Sequence, residues 1–128
     1  MSSQPAFAAT PLSFKRNIIT ANANRDGSGT ISILCTAPTG GLRIDNISMK
    51  ALQTTTAGMI RMWHYNGSVY SLIREFIVTA ITASGTVPSW EQQLTGLGIV
   101  LESGWSLAFS TDKGESFDIC ATNAGGFA

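Results

Sequence analysis

The sequence predicts an all-β fold: an antiparallel β-sandwich of eight or nine strands, with jelly-roll connectivity favoured over an immunoglobulin-like arrangement. Helix signals are nearly absent, because no stretch of helical length carries an i, i+3, i+4, i+7 apolar stripe free of Gly and Pro. Thr, Ser, Ile, Val and Gly dominate instead. Turn residues interrupt the short alternating runs about every ten positions, a spacing typical of sandwiches and barrels.

The predicted strands are alternating or β-branched runs bounded by Gly, Pro, Asn, Asp and Ser. They cover residues 14–22, 30–36, 42–52, 59–65, 68–79, 86–94, 99–102, 106–111 and 116–122. The strongest hairpin signal is the pair Asn66 and Gly67, because these residues tolerate the positive φ that tight hairpin turns require. We therefore expect the strands on either side of this pair to be hydrogen-bonded to each other.

Two of these strands depart from simple alternation. In the strand 42–52 the apolar residues change parity between Ile44 and Ile47, which predicts a β-bulge near Asp45 and Asn46. In the return strand of the hairpin both faces carry large apolar residues. A strand that is apolar on both faces is usually covered on both sides. We expect an arm or a neighbouring subunit to provide the second cover.

The N-terminal residues 1–13 are predicted to form an extended arm, followed by a single β-sandwich domain over 14–128. This segment has two prolines and no charged side chain. Its large apolar side chains are Phe7 and Leu12. We expect the arm to lie along a neighbouring subunit and to become ordered on binding.

The charge balance excludes several classes of function. Charged residues make up 12% of the chain, about half the usual share, and the 8 Lys and Arg balance the 8 Asp and Glu. A nucleic-acid-binding protein needs a basic surface to displace counterions from phosphates, and a polybasic membrane anchor needs a cluster of cations. The sequence therefore predicts no nucleic-acid partner and no membrane partner. A weakly charged, neutral chain is poorly protected against self-association, so we expect a homo-oligomer.

No motif predicts catalysis, a metal site or a bound cofactor. His64 is the single histidine and lies beside the hairpin turn, where we expect a structural role. A glycosidase needs two carboxylates facing each other across a groove, and Glu75 with Glu91 or Glu102 is the available pair. Because Arg74 adjoins Glu75, ion pairing at an interface is the simpler explanation. We expect the protein not to be an enzyme.

The three tryptophans have two candidate roles. Trp105 follows a glycine at the start of an apolar strand, so we expect it in the core. Trp63 and Trp90 lie on strand faces with more polar residues, so they are better candidates than Trp105 for exposed side chains. Exposed aromatic side chains can stack on sugar rings, but Trp is also enriched in protein interfaces, and we favour an interface. Carbohydrate binding remains the alternative.

The two cysteines are predicted to be free thiols. Cys35 and Cys120 are too few and too far apart for a metal or redox motif, and the N-terminus lacks a secretory signal, so we expect folding in a reducing cytoplasm. Jelly-roll connectivity would make their strands neighbours in one sheet. Strand parity nevertheless turns Cys35 inward and Cys120 outward, which prevents a disulfide within one chain.

Five segments give the chain a resemblance to small bacteriophage virion proteins. They are residues 55–62 (TTAGMIRM), the Asn-Gly turn at 66–67, 74–80 (REFIVTA), 104–107 (GWSL) and 117–121 (FDICA). The chain resembles jelly-roll capsid decoration, or cement, proteins and related head and collar proteins over about residues 30 to 128. This resemblance implies a structural role and supplies no catalytic residue.

The sequence therefore predicts a structural virion protein, assembled in the host cytoplasm, that stabilises a phage head as a capsid decoration protein. Expected partners are other copies of the chain, with a trimer preferred, and the major capsid protein or another virion protein. A collar, neck or fibre-base component is the alternative within the virion, and a carbohydrate-binding adhesion module is the alternative of another class. Predicted interface residues are Phe7, Leu12, Trp63, Arg74, Glu75 and Trp90.

Overall fold

A computed structural model of the chain describes residues 10–126, except for the side chains of Thr10, Pro11 and Asn123. Nine β-strands form within this range, and no helix occurs in it. The strands are β1 (Thr10–Ile18), β2 (Ser32–Thr36), β3 (Leu42–Ala51), β4 (Gly58–Tyr65), β5 (Tyr70–Val78), β6 (Glu91–Leu94), β7 (Ile99–Leu101), β8 (Ser106–Thr111) and β9 (Phe117–Gly126).

The strands pack as two antiparallel sheets. Sheet A has the order β1-β9-β3-β6, and β7 also pairs with β3; sheet B has the order β2-β8-β4-β5. Each sheet therefore alternates strands from the two halves of the chain, which is the double Greek-key connectivity of a jelly roll. The predicted fold class is confirmed.

The core fills the space between the inner faces of the two sheets. On sheet A, β3 buries Leu42 and Met49 completely, and on sheet B, β4 buries Ile60. The side chains between such positions are less buried, as expected when successive residues point to opposite faces. Burying each large aliphatic side chain stabilises the fold by about 1.5–3 kcal/mol.

The change of parity in β3 is present, but no register shift accompanies it in the ladder with β9. Burial shifts phase between Ile44 and Ile47, while the pairing of β3 with β9 continues through this point without a register shift. On the other side of β3, Ile44 pairs with Ile99 and Ile47 pairs with Leu94. The extra residues therefore lie in segment 95–98, between β6 and β7. The prediction of a bulge in β3 is wrong for the ladder with β9, which continues past Asp45 and Asn46 in one register.

The hairpin predicted at the Asn-Gly turn is formed by β4 and β5. The side-chain oxygen of Asn66 accepts hydrogen bonds from the backbone N–H groups of Ser68 (3.0 Å) and Val69 (2.9 Å). Gly67 has a φ of 96°, which a residue with a Cβ adopts only with strain. The turn chemistry of the sequence thus fixes where β4 ends and β5 begins.

The edges of both sheets are irregular or short. Sheet A ends in β1 and β6, and sheet B ends in β2 and β5. The ladders that join β1, β2 and β5 to their neighbours each contain a register shift. The remaining edge, beside β3, consists of two short strands, β6 with 4 residues and β7 with 3 residues. Register shifts twist an edge strand, and a short edge offers few free backbone groups.

Strand β1 begins earlier than predicted. Thr10 pairs with Gly126 and Leu12 pairs with Ala124, so residues 10–13 belong to sheet A of the same chain and not to an arm. Pro11 suggested an interruption, but proline is tolerated on an edge strand, where its missing N–H is not needed for the ladder. Residues 1–9 of the predicted arm, including Phe7, lie outside the described part of the chain.

Candidate interaction surfaces

The described residues include neither a metal-binding cluster nor a membrane-spanning helix. No group of three or more His, Cys, Asp or Glu side chains between residues 10 and 126 is placed to hold a metal ion. His64 packs edge-on against Trp105, with ring centroids 4.7 Å apart. No helix in this range could cross a membrane. The remaining candidate functional residues are those predicted to form an interface.

Trp63 lies inside the protein. It is 1% exposed, and its indole Nε1 donates a hydrogen bond to the Ser110 hydroxyl at 2.9 Å. A buried indole N–H normally finds such a partner. The prediction that Trp63 forms a surface contact is wrong. The Trp63 side chain points outward from sheet B, as its strand parity predicted. It is nevertheless covered by other residues of the chain.

Trp90 is also buried, at 5% exposure, and packs edge-on against Phe117 with ring centroids 5.8 Å apart. It precedes β6 at a sandwich end and closes the core there, so the prediction of a surface role is wrong for Trp90 too. Trp105, expected in the core, is partly exposed beside His64. Two of the three tryptophan side chains are therefore inaccessible to a sugar ring.

The other predicted interface residues lie at different places on the surface. Leu12 is exposed on edge strand β1. Arg74 and Glu75 lie on edge strand β5, and the Arg74 guanidinium is stacked 5.0 Å from the centre of the Phe76 ring. Leu12 and Glu75 belong to different sheets, so the structure does not gather the predicted residues into one site.

A buried charge network on sheet B was not predicted from the sequence. Arg61 in β4 donates through Nε to Glu75 Oε2 at 3.0 Å, and its Nη1 lies 3.7 Å from Asp112 Oδ1. Arg25 donates to the same Glu75 oxygen at 2.7 Å. The Arg25 hydrogen bond is the main reason that the pKa of Glu75 lies below its ordinary value, and Arg61 contributes in the same direction. The network joins the β4–β5 hairpin to residue 25 in the β1–β2 connection and to residue 112 after β8.

The connection between β1 and β2, residues 19–31, which we call the crossing segment, packs against part of the outer face of sheet B. Asn22 donates its backbone N–H to Thr111 O at 2.8 Å, and its backbone carbonyl lies 3.4 Å from Arg61 Nη1. The Asn22 amide also donates to Ser28 O and Thr30 O, which closes the segment on itself. The described part of the chain does not provide the second cover predicted for the return strand of the hairpin, because Ile73 and Ile77 on the outer face of β5 are 44% and 69% exposed. Cover by an arm or a neighbouring subunit stays a prediction.

On the outer face of sheet A, two adjacent shallow depressions, of about 300 and 250 Å³, lie along β1 and β9. Both are lined by Lys15 and Cys120.

Both cysteines are free, as predicted, with Cys35 buried and Cys120 partly exposed. Cys35 belongs to β2 of sheet B and Cys120 to β9 of sheet A, so the prediction that their strands are sheet neighbours is wrong. Burial raises the pKa of the Cys35 thiol to about 11.

The double Greek-key order places the chain in the class of jelly-roll sandwiches, an architecture that includes viral capsid domains, lectin domains and cupins. No protein-family model matches the chain, and no curated protein matches it in sequence. Solved structures do match it. A chain from the acidic stable capsid structure of Helicobacter pylori bacteriophage KHP30 matches with a TM-score of 0.57 and 7% identity, over 89% of this chain and 86% of that one.

Chains from two other phage capsids are also similar. The Cyanophage Pam1 capsid asymmetric unit gives a TM-score of 0.48 at 15% identity, over 95% of this chain and 91% of that one. The capsid of Ralstonia phage GP4 gives a TM-score of 0.44 at 17% identity, over 95% and 88%. At 7% identity, the similarity to the KHP30 chain establishes a shared fold, and a fold can serve many functions.

Proposed function

We propose that this chain is a structural protein of a bacteriophage particle and that it binds the capsid shell as a decoration, or cement, protein. The observation that carries the proposal is the jelly-roll match to a chain of the KHP30 capsid, which extends over most of both chains. A protein of this kind acts by packing and needs no catalytic group.

Further support comes from the surface of the described residues. The charge network and the crossing segment are internal contacts of one chain, and they hold the sandwich as a rigid unit. Trp63 and Trp90 are buried and cannot stack on a sugar ring, which weakens the case for an adhesion module. A rigid module of low charge is suited to contacts that are repeated many times on a shell.

The mechanism is mechanical. Each copy would span the seam between neighbouring shell subunits and add buried contact area that the shell alone lacks. A stable contact of this kind buries about 800 Å² on each partner. Assembly as a homo-oligomer, with a trimer preferred, would let one bound unit hold several shell subunits together.

The number of copies per particle tests this function. Purified particles of the phage that encodes the chain should contain it in hundreds of copies, measured by quantitative gel staining and located on the outside of the shell by cryo-electron microscopy. A dozen copies or fewer at one vertex would instead indicate a collar, neck or fibre-base component. Absence from the particle would contradict the proposal.

A further inference from the structure

The outer face of edge strand β5 exposes two large aliphatic side chains. Ile73 and Ile77 are 44% and 69% exposed, and Met59, which pairs with Ile77 across the β4–β5 ladder, is partly exposed. Single exposed aliphatic residues are common on protein surfaces. These two, however, lie on one face of one strand, about 13 Å apart. We call the surface formed by Ile73, Ile77 and Met59 the β5 face.

The charge on the β5 face is already paired within the chain. Glu75 lies between the two isoleucines in sequence, and its carboxylate accepts hydrogen bonds from Arg25 at 2.7 Å and from Arg61 at 3.0 Å. A segment that packs across this face therefore meets apolar side chains and a carboxylate that has its partners. An uncharged segment with an apolar side chain can bind there without leaving a charge desolvated and unpaired.

The N-terminal residues 1–9 have the composition that such a contact requires. They carry no charged side chain, and Phe7 is their aromatic residue. The larger depression on sheet A matches this segment less well, because it is lined by the charged side chains of Lys15, Arg16 and Asp118. Burial of an aromatic ring against exposed aliphatic side chains removes apolar area of both partners from water. Among the surfaces described, the β5 face thus suits Phe7 better than the depression does.

Phe7 cannot reach the β5 face of its own copy. The described part of the chain begins at Thr10 in β1, which packs against β2 and β8 of sheet B. Strand β5 is three strand spacings, or about 14 Å, from β2, and the two sheets are about 10 Å apart. The three residues from Phe7 to Thr10 span at most about 11 Å. An N-terminal segment on the β5 face therefore has to come from another copy.

We propose that the β5 face binds residues 1–9 of a neighbouring copy, with Phe7 packed against Ile73 and Ile77. The inference rests on the proposed function and deepens it by naming the contact that joins the copies. A segment passed from one copy to the next makes a head-to-tail contact, and such contacts close into a ring when the rotation between copies permits it. A trimer is one such ring. The same contact supplies the second cover that the sequence predicts for this strand.

Substitutions on both sides of the contact test the inference. Phe7→Ala removes the aromatic ring, and Ile77→Asp places a carboxylate in the β5 face. The control is Val100→Asp, at a similarly exposed valine (59%) on β7 of sheet A. In sedimentation equilibrium of the full chain, wild type and Val100→Asp should form the same oligomer, while Phe7→Ala and Ile77→Asp should raise the dissociation constant about tenfold or more. The double variant should be impaired little more than either single variant, because both remove one contact.

Cross-linking shows whether the two sides belong to different copies. Cys120→Ser removes the partly exposed native thiol, and in this background Phe7→Cys and Ile77→Cys chains are co-expressed. Mild oxidation should link the two kinds of chain into a dimer on a non-reducing gel, and Val100→Cys in place of Ile77→Cys should give no such band. Circular dichroism and thermal melting of each variant separate loss of contact from loss of fold.

Several outcomes would overturn the inference: a monomeric wild type, folded Phe7→Ala or Ile77→Asp proteins that assemble like wild type, equal impairment by Val100→Asp, or no linked dimer. If Ile77→Asp kept the oligomer but lost binding to particles, the β5 face would belong to the shell contact. The inference would then fail while the decoration role stood. Absence of the chain from particles would refute the decoration role and leave the contact between copies intact.

Discussion

Arg61 and Glu75 form an ion pair across the β4–β5 ladder, with Arg61 Nε 3.0 Å from Glu75 Oε2, and only 3% of the Arg61 side chain is exposed. A guanidinium in this position is stable only because Glu75, Asp112 and the Asn22 carbonyl surround it. The same pair also holds the crossing segment against sheet B, since Arg25 shares the Glu75 oxygen.

Replacing Arg61 should therefore destabilise the fold strongly. Arg61→Ala removes both the buried guanidinium and the aliphatic part of the side chain that packs beside it. We expect this substitution to lower the free energy of unfolding by about 2–3 kcal/mol. The control is Lys50→Ala, which breaks the exposed pair with Glu91 and should cost less than about 1 kcal/mol. Urea denaturation of both variants measures the difference, and equal losses would contradict the role assigned to Arg61.

Acid should weaken the contact between the crossing segment and sheet B. Hydrogen bonding to Arg25 lowers the pKa of Glu75 in the folded state from its reference value of 4.5, so this group stabilises the fold above that value. The contribution is lost as the pH falls through the lower, folded-state pKa. Thermal melting of wild type from pH 6 to pH 3 should show this loss. Glu75→Gln, which cannot titrate, should be less stable at pH 6 and show a shallower decline.

Two glycines with nearly the same φ allow a controlled test of close packing. Gly29 (φ 81°) and Gly104 (φ 82°) would each be strained by a Cβ, at a cost of about 1–2 kcal/mol. At Gly29 the added Cβ would also lie 2.8 Å from the Asn22 side chain, whereas at Gly104 no atom lies within 4 Å. We expect Gly29→Ala to destabilise the protein by about 1–3 kcal/mol more than Gly104→Ala, measured by urea denaturation. Equal effects would show that the crossing segment can shift without cost.

The cysteines should differ in reactivity toward a thiol reagent. With its pKa raised to about 11, buried Cys35 is almost entirely protonated at pH 8, while Cys120 is partly exposed on sheet A. Native protein should show one fast-reacting thiol with a disulfide reagent, and Cys120→Ser should abolish this phase. Cys35 should react after unfolding in urea. A fast phase that survives in Cys120→Ser would contradict the burial of Cys35.

The sequence predicted the sandwich well because alternation and turn chemistry are local properties. The Asn66-Gly67 turn and the inward parity of Ile60 both follow from residues close to one another in the chain. Boundaries were less well predicted where local signals conflicted. The segment 86–94 was expected to be one strand, but only Glu91–Leu94 pair with β3, and the residues before them form the loop that Trp90 closes.

The surface could not be predicted in the same way, because it depends on contacts between distant residues. Trp63 and Arg61 have the outward parity that the sequence indicated, yet both are buried. Arg61 lies against Asn22 of the crossing segment, and Trp63 packs against Ser110 and Tyr70. The only sequence signal for this cover was the series of turn residues near Asp26 and Gly29, which predicted a turn but not its position over sheet B. Strand parity alone therefore predicted exposed side chains at positions where the structure has buried ones.

The irregular edges of the two sheets have a consequence for copies made at high concentration in a cell. Regular edge strands add to one another indefinitely and lead to fibrils. Here the ladders of β1, β2 and β5 are each interrupted, and β6 is only 4 residues long. The protein should thus resist uncontrolled fibrillation at high concentration, and association is left to side-chain surfaces that can close into units of defined size.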